Sequence, residues 1–305
     1  LNIEIVLTAH PTEVTRRTLM HKHKGLANCR QAIHQESLND VERKKIETRI
    51  ADLIAQAWHT EEIRSVRPTP VDEARWGFSV IENSLWEAVP DFMRELDGRL
   101  NEDYEVSLPL DASPVQFSSW MGGDRDGNPF VTSKVTEQVL LLARKRAAKL
   151  FAIDLVRLQV ELSMYDCNDA LREKVGDANE PYRALLRPLV DKFIATRDGI
   201  SDYLAGKNPD TSNWVESDDE LIEPLMLCYQ SLLDCGMQVV ANGLLLDTIR
   251  RARVFGIHLL RLDVRQDSES HADVFSDLTR YLGLGDYAQW SEADKQEFLL
   301  RELGL

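Results

Sequence analysis

The chain lacks the cysteine pairs, the long apolar runs and the excess of basic residues that mark several large classes of protein. Its cysteines are Cys29, Cys167, Cys228 and Cys235. No two of them form a Cys-x-x-Cys pair, so they do not resemble a disulfide framework, and we expect reduced, partly buried thiols in a cytoplasmic protein. No signal peptide is visible, and no apolar run approaches the ~18 residues that a membrane span needs. We therefore predict no membrane partner.

Basic residues are outnumbered in this sequence. There are 36 lysines and arginines against 51 aspartates and glutamates, which gives a formal net charge of −15. This balance argues against nonspecific binding to nucleic acid. It does not exclude anionic ligands, because a local arginine cluster can oppose the field of the whole molecule. With 305 residues, 43% of them hydrophobic, the chain is long enough to bury a sizeable core.

The strongest chemical signal lies in residues 5–18. A short apolar run delivers His10, and Pro11 then ends strand pairing because it lacks a backbone donor. His10 is the candidate catalytic residue, since imidazole gives and takes protons near neutral pH. Arg16 and Arg17 follow near a predicted helix start, where arginine can bind phosphate or carboxylate groups. A structural histidine and ordinary ion pairs are the alternative interpretations.

A second stretch, residues 115–129, is typical of a short strand that ends in a polar turn. The turn holds three glycines, two aspartates and Arg125. It lacks the ending of a phosphate-binding P-loop, and it lacks the final glutamate of a calcium-binding EF-hand. We therefore predict an anion contact or a turn-forming role, with Arg125 presented outward.

A third stretch, residues 257–265, alternates between two kinds of side chain. The apolar positions are Leu260, Leu262 and Val264, and the charged positions are Arg261, Asp263 and Arg265. Such alternation predicts a strand with one charged face. Either this face is an internal ion-pair ladder, or Arg265 meets an anionic ligand while Asp263 orients it, because buried unpaired charge is costly.

Helical periodicity fills the intervals between these stretches. We predict strands at about 3–9, 115–121 and 257–265, and helical insertions at about 15–100 and 132–256. Strands that are separated by helices favour a parallel sheet, with the reactive groups at the carboxyl ends of the strands. The sequence therefore predicts a mainly α fold with a few parallel strands. No metal ligand is predicted in this chain.

Several motifs resemble those of the phosphoenolpyruvate carboxylase family in its bacterial form. They are TAHPTExTRRT at 8–18, WHTEEIR at 58–64, FSSWMGGDRDGNP at 117–129 and RLDVRQDS at 261–268. The resemblance spans nearly the whole chain. It implies that residues 1–305 are the amino-terminal fragment of one large subunit, and a start at Leu1 inside a strand fits that expectation. It also implies a helix-rich (β/α)8 TIM-like barrel, which is incomplete here.

The resemblance implies the carboxylation of phosphoenolpyruvate with bicarbonate, which gives oxaloacetate and phosphate by way of carboxyphosphate and enolpyruvate. His10 is then the catalytic histidine that takes a proton from carboxyphosphate so that carbon dioxide leaves. Arg265 binds the substrate phosphate. The arginines that match a binding site for a sugar-phosphate activator are Arg16, Arg17, Arg64 and Arg125.

The resemblance also has implications for the cofactor and the assembly of the protein. It includes Mg²⁺ or Mn²⁺ held by ligands outside this chain, allosteric control and a cytoplasmic homotetramer. Because the family's metal carboxylates and mobile loop belong to a later part of the subunit, we expect this fragment to be inactive alone. Two other functions stay open here, namely a helical scaffold or oligomerisation module without catalysis, and a phosphohistidine transfer enzyme.

Overall fold

A computed structural model describes four parts of the chain, which are residues 2–8, 17–34, 38–61 and 68–302. The chain divides into two compact units, which are His10–Thr69 and Leu1–Ala9 with Pro70–Leu305. The first unit contains α1 (Arg17–Ile33) and α2 (Asp40–Trp58). The second contains the described strands and the remaining helices.

The smaller unit is built on the contact between α1 and α2. A Cβ atom at Gly25 would lie 3.1 Å from Cδ1 of Leu53, so the two helices approach closely where the glycine leaves space. Asn39 caps α2, because its side chain accepts from the backbone N–H of Glu42 at 2.9 Å, and the Glu42 carboxylate accepts from the backbone N–H of Asn39 at 3.0 Å. This reciprocal cap explains why α2 begins where it does.

The larger unit contains three described strands, β1 (Ile3–Leu7), β2 (Val115–Ser119) and β3 (Arg261–Leu262). Its helices are α3 (Pro70–Val80), α4 (Trp86–Tyr104), α5 (Ser133–Glu161), α6 (Asp169–Val175), α7 (Pro181–Leu204), α8 (Asp218–Asp234), α9 (Gln238–Val240), α10 (Leu246–Phe255), α11 (Ser268–Tyr281) and α12 (Glu292–Glu302). The π-helical segments Ile81–Leu85 and Ala241–Leu245 precede α4 and α10, and a 3₁₀ turn covers Tyr287–Gln289.

The three strands form one parallel sheet in the order β1-β2-β3. Ile3 is paired with Val115 and Leu7 with Ser119, while Ser118 is paired with Arg261. The prediction of a mainly α chain with a few parallel strands is therefore confirmed. Since all three strands run the same way, their carboxyl ends lie along one edge of the sheet.

Aromatic rings join the sheet to the helical core. Phe117 on β2 stacks on Phe255 of α10 with 5.3 Å between the ring centroids, and Phe255 stacks on Trp86 at 5.0 Å. Trp86 then meets Phe151 of α5 edge to face at 4.9 Å. All four rings are buried, and burying each of them contributes about 1.5–3 kcal/mol. This packing fixes β2 against the helices.

A buried arginine completes the hydrogen bonding of α4. Pro90 lies inside that helix and has no N–H to donate to the carbonyl oxygen of Trp86. Nε of Arg251 donates to that oxygen instead, at 2.7 Å. Nη1 of Arg251 also donates to Oδ2 of Asp154 at 2.9 Å. Burial raises the pKa of Asp154 above its ordinary value, against the lowering effects of Arg251 and of the indole N–H of Trp86.

The third strand is shorter than predicted. The sequence indicated a strand over 257–265, but regular pairing covers only Arg261–Leu262. Leu259 has a φ of 71°, which turns the backbone, and the N–H of Ile257 donates to the carboxylate of Asp218 at 2.7 Å. The apolar side chains before the strand are buried in the core, so their hydrophobicity reflects a buried turn and not strand pairing.

The state of the cysteines and the character of the helices can be compared with what the composition predicted. All four cysteines are free thiols. Burial raises the pKa of the Cys228 thiol to about 12, so it stays protonated and unreactive near neutral pH. In the parts of the chain that the structure describes, no helix has the length and apolar character needed to cross a membrane.

Candidate functional site

The candidate site lies at the edge where the carboxyl ends of the strands meet. The backbone N–H of Trp120, directly after β2, donates to the carbonyl oxygen of Leu7 at 3.0 Å. On the other side, the N–H of Asp263 donates to the carbonyl oxygen of Ser119 at 3.0 Å. Both neighbouring strand ends are therefore held to the end of β2. In parallel sheets, this edge is where ligands bind.

The contact between the second and third strands continues beyond the sheet, into the glycine-rich turn. The N–H of Arg265 donates to the carbonyl oxygen of Gly123 at 2.9 Å, and the N–H of Arg125 donates to that of Arg265 at 2.8 Å. Asp124 and Arg265 form an isolated parallel bridge. Backbone hydrogen bonds thus join two segments that are distant in sequence, and both segments lie at the same edge of the sheet.

Arg265 presents its guanidinium at this edge. Its Cζ lies 4.0 Å from the centroid of the Trp120 ring. Its Nη1 lies 3.9 Å from Oδ2 of Asp124, which is an ion-pair distance but too long for a hydrogen bond. The Arg265 side chain is 43% exposed, so its N–H groups remain accessible to an anion. A stacked and accessible guanidinium is suited to bind phosphate or carboxylate oxygens.

Asp263 and Arg265, on the charged face predicted for the third strand, contact different partners. Oδ2 of Asp263 accepts from the indole nitrogen of Trp120 at 3.2 Å, while Arg265 pairs with Asp124. The carboxylate of Asp263 thus contacts the tryptophan on which Arg265 stacks, and the orienting role predicted for Asp263 stays a prediction. Val264 is 53% exposed, so the apolar face predicted for this strand is only partly buried.

Arg125 is held by a helix on the other side of the turn. Its Nη2 donates to Oγ1 of Thr136 at 3.3 Å, and that hydroxyl donates to the carbonyl oxygen of Gly122 at 2.8 Å. Within the described residues, Nε of Arg125 and Oδ1 of Asp124 are buried and have no hydrogen-bond partner. Such atoms are costly to leave unpaired. Among the described residues, the turn therefore leaves these two buried polar atoms unsatisfied.

The predicted site residues differ in how far the structure describes them. Arg125 and Arg265 lie side by side, joined by the backbone hydrogen bond between them. Arg17 begins α1, and its side chain is not described. Outside the described residues lie His10, Arg16 and Arg64. The roles of these residues stay predictions.

Sequence reasoning did not select Trp120 and Thr136 as site residues. Trp120 lies inside the FSSWMGGDRDGNP motif, directly before the glycines, and this position was the available signal. Thr136 offered none, because a threonine near the start of a helix is ordinary. It is 8% exposed, and only its contacts with Arg125 and Gly122 reveal its role in the turn.

Replacement of Gly123 with alanine is expected to disrupt this edge. The new Cβ would lie 2.1 Å from the backbone oxygen of Asp263, so one of the two segments must move. We expect a loss of about 1–3 kcal/mol in the free energy of unfolding. Gly98→Ala is the matched control, since Gly98 is an exposed position of α4 with nothing within 4 Å of an added Cβ, and it should gain about 0.5–1 kcal/mol. Urea unfolding measures both, and equal effects would contradict the close approach.

The described residues do not assemble a metal site. No group of three or more histidine, cysteine, aspartate or glutamate side chains in the described parts of the chain could hold a metal ion. Asp124 and Asp263 flank the Trp120–Arg265 stack, but each has the separate contact given above. These described residues therefore supply no set of metal ligands.

Comparisons with known proteins cover the whole chain. A family model described as Phosphoenolpyruvate carboxylase matches residues 1–305. Proteins named phosphoenolpyruvate carboxylase from Aeromonas hydrophila subsp. hydrophila and Aeromonas salmonicida are each 58% identical to it over 303 residues. Another, from Tolumonas auensis, is 55% identical over 303 residues. These alignments cover 99% of this chain but only 34% of each relative. Because the family model matches from one end of the sequence to the other, this chain belongs to the phosphoenolpyruvate carboxylase family.

Proposed function

We propose that the chain is the amino-terminal portion of a phosphoenolpyruvate carboxylase subunit, and that it takes part in the carboxylation of phosphoenolpyruvate by bicarbonate. The family match supports this proposal, as does the 34% share of each relative that the chain spans. The motifs of the family's metal carboxylates and mobile loop do not occur in this sequence. The products of the reaction are oxaloacetate and phosphate.

The observation that carries the proposal is the accessible guanidinium of Arg265 at the carboxyl edge of the sheet. Phosphoenolpyruvate is a small polyanion, and its phosphate matches the fork of donors that arginine presents. Backbone hydrogen bonds join Arg265 to the turn after β2, and the Trp120 ring lies against it at 4.0 Å. In the proposed complex, Arg265 binds the phosphoryl group and stabilises the charge that develops on its oxygens.

His10 is proposed to act after phosphoryl transfer. An oxygen of bicarbonate attacks phosphorus, the bond to the enol oxygen breaks, and carboxyphosphate and the enolate of pyruvate form. His10 takes the carboxyl proton of carboxyphosphate, so that carbon dioxide leaves as inorganic phosphate is released. The enolate carbon then attacks carbon dioxide to give oxaloacetate. A neutral imidazole can accept that proton near pH 7.

The second proposed ligand is a sugar-phosphate activator. Its arginines would be Arg16, Arg17, Arg64 and Arg125. The support within the described residues comes from Arg125, whose guanidinium lies at the glycine-rich turn and donates to Thr136. A phosphate oxygen is a suitable acceptor for such a donor.

Mg²⁺ or Mn²⁺ is proposed as the cofactor of the full-length protein, where it would stabilise charge on the transferring phosphoryl group. Its ligands are proposed to lie outside this chain. A complete (β/α)8 barrel and a homotetramer are proposed for the full-length protein as well. Support for further strands comes from β1, where Ile3 and Ile5 are 44% and 43% exposed at the end of the described sheet. Such an edge invites pairing.

The 305-residue chain is expected to be catalytically silent by itself. It would carry the histidine but not the metal carboxylates, so the phosphoryl group would lack its main counter-charge. An assay of oxaloacetate formation should detect turnover with the full-length protein and none with the equimolar chain. Substantial turnover by the chain alone would contradict this prediction.

Thermal-shift titration of the full-length protein with phosphoenolpyruvate should raise its melting temperature, because a ligand stabilises the state that binds it. No shift would favour the alternative of a non-catalytic scaffold.

A further inference from the structure

We propose that Trp120 is a positioning residue that holds the guanidinium of Arg265 ready for an anionic substrate. This inference rests on the proposed function, in which Arg265 binds the phosphate of phosphoenolpyruvate. Trp120 acts through the arginine and needs no contact of its own with the reacting atoms.

The first argument is the closeness of the stack. Cζ of Arg265 lies 4.0 Å from the centroid of the Trp120 ring, whereas other arginine–ring contacts in the described residues measure 5.6 and 5.7 Å. A cation within ~6 Å of a tryptophan face is attracted by the ring electrons. At 4.0 Å the planar guanidinium is in van der Waals contact with the ring as well.

The second argument is that the ring itself is anchored at both ends. The backbone N–H of Trp120 donates to Leu7, and the indole N–H donates to Oδ2 of Asp263 at 3.2 Å. Asp263 is fixed in turn, because its own N–H donates to Ser119 at 3.0 Å. The indole is therefore a platform whose position is set by two strands.

The third argument is that Arg265 has weak support elsewhere. Its described ion-pair partner, Asp124, lies 3.9 Å away, beyond hydrogen-bond distance, and the side chain is 43% exposed. An arginine side chain with several rotatable bonds would otherwise sample many positions. Stacking restrains the plane of the guanidinium and leaves its N–H edge free, and that edge is what binds phosphate oxygens in pairs.

The test uses steady-state kinetics of the full-length protein with each substrate varied in turn. Trp120→Leu is expected to raise KM for phosphoenolpyruvate about tenfold, a loss within the range of a desolvated cation–π contact. Trp120→Phe keeps a ring face but loses the indole N–H, so a rise of about two- to threefold is expected. Asp263→Ala should change KM in the same direction. Inorganic phosphate, used as a competitive probe, should lose affinity in parallel, while KM for bicarbonate stays constant.

Arg265→Gln separates this inference from the proposed function. If that variant leaves KM for phosphoenolpyruvate unchanged, the proposed role of Arg265 is wrong. If it raises KM but Trp120→Leu does not, the positioning role of Trp120 is overturned. A rise in KM for bicarbonate instead would also overturn it, because the tryptophan would then contact the other substrate.

A double-mutant cycle supplies the final control. Once Arg265 is glutamine, Trp120→Leu should have almost no further effect on KM, because the group that it positions is absent. Additive effects would contradict the inference. Tyr104→Leu is the matched aromatic control, since its side chain is 72% exposed at the end of α4, and its kinetics should equal those of the unmodified protein.

Discussion

Replacement of His10 with asparagine in the full-length protein is expected to lower kcat for oxaloacetate formation by about 10²–10⁴-fold, the usual contribution of general acid–base catalysis. Asparagine is similar in size and keeps hydrogen-bonding capacity, but it cannot accept a proton near pH 7. If His10 deprotonates carboxyphosphate, carbon dioxide release should fail while the binding of phosphoenolpyruvate persists. The measurement is steady-state oxaloacetate formation together with KM for phosphoenolpyruvate.

His21→Asn provides the matched control for this experiment. His21 lies on α1 with an exposed side chain, and the same substitution there should leave kcat unchanged. Normal carboxylation by the His10 variant would show that the proposed proton acceptor is wrong. A similar loss in both variants would point to a general effect on folding, and not to chemistry at His10.

Replacement of Arg251 with methionine is expected to cost about 3–5 kcal/mol in the free energy of unfolding, because it removes the buried cation that pairs with the buried carboxylate of Asp154. Arg251 is 2% exposed and Asp154 is 1% exposed. The same substitution leaves the carbonyl oxygen of Trp86 without its donor, since Pro90 offers none. Glu87 also loses its contact with Nη2, at 2.8 Å. Urea unfolding of the full-length protein gives the change, provided that the transition is two-state.

Two comparisons test the cause of that loss. Arg99→Met removes an arginine from an exposed pair with Glu95, where both side chains are more than 60% exposed, and should cost less than ~1 kcal/mol. Adding Asp154→Leu to Arg251→Met should recover part of the stability, since the uncompensated charge is gone. If the double variant is less stable than Arg251→Met alone, packing and not charge is the cause.

The effect of pH on the Arg251 variant has a definite sign. Burial already raises the pKa of Asp154, and loss of Arg251 removes the main interaction that lowers it. A carboxyl group with a raised pKa binds more protons in the folded state, so its penalty diminishes as pH falls through that pKa. The stability difference between the variant and the unmodified protein should therefore be smaller at acidic pH than at neutral pH.

Short sequence patterns were enough to predict the first two strands, but they misjudged the length of the third. The parallel strands at Ile3–Leu7 and Val115–Ser119 were predicted from short stretches that carry apolar residues and lie shortly before a proline or a pair of glycines. The third strand was predicted too long because a buried turn and a buried strand both need apolar side chains. The positive φ of Leu259 is what separates the two, and hydrophobicity carries no information about it.

For this protein, the sequence alone determined which reactive groups are present and in what order they occur. The family motifs and the candidates His10, Arg125 and Arg265 are contiguous patterns, so they are legible without coordinates. Only the tertiary structure decided which of them meet. Trp120 and Arg265 are distant in the chain, and their stack exists because parallel pairing of β2 and β3 brings their carboxyl ends together. Long-range contacts of this kind depend on how helices pack between the strands, which no single stretch of sequence encodes.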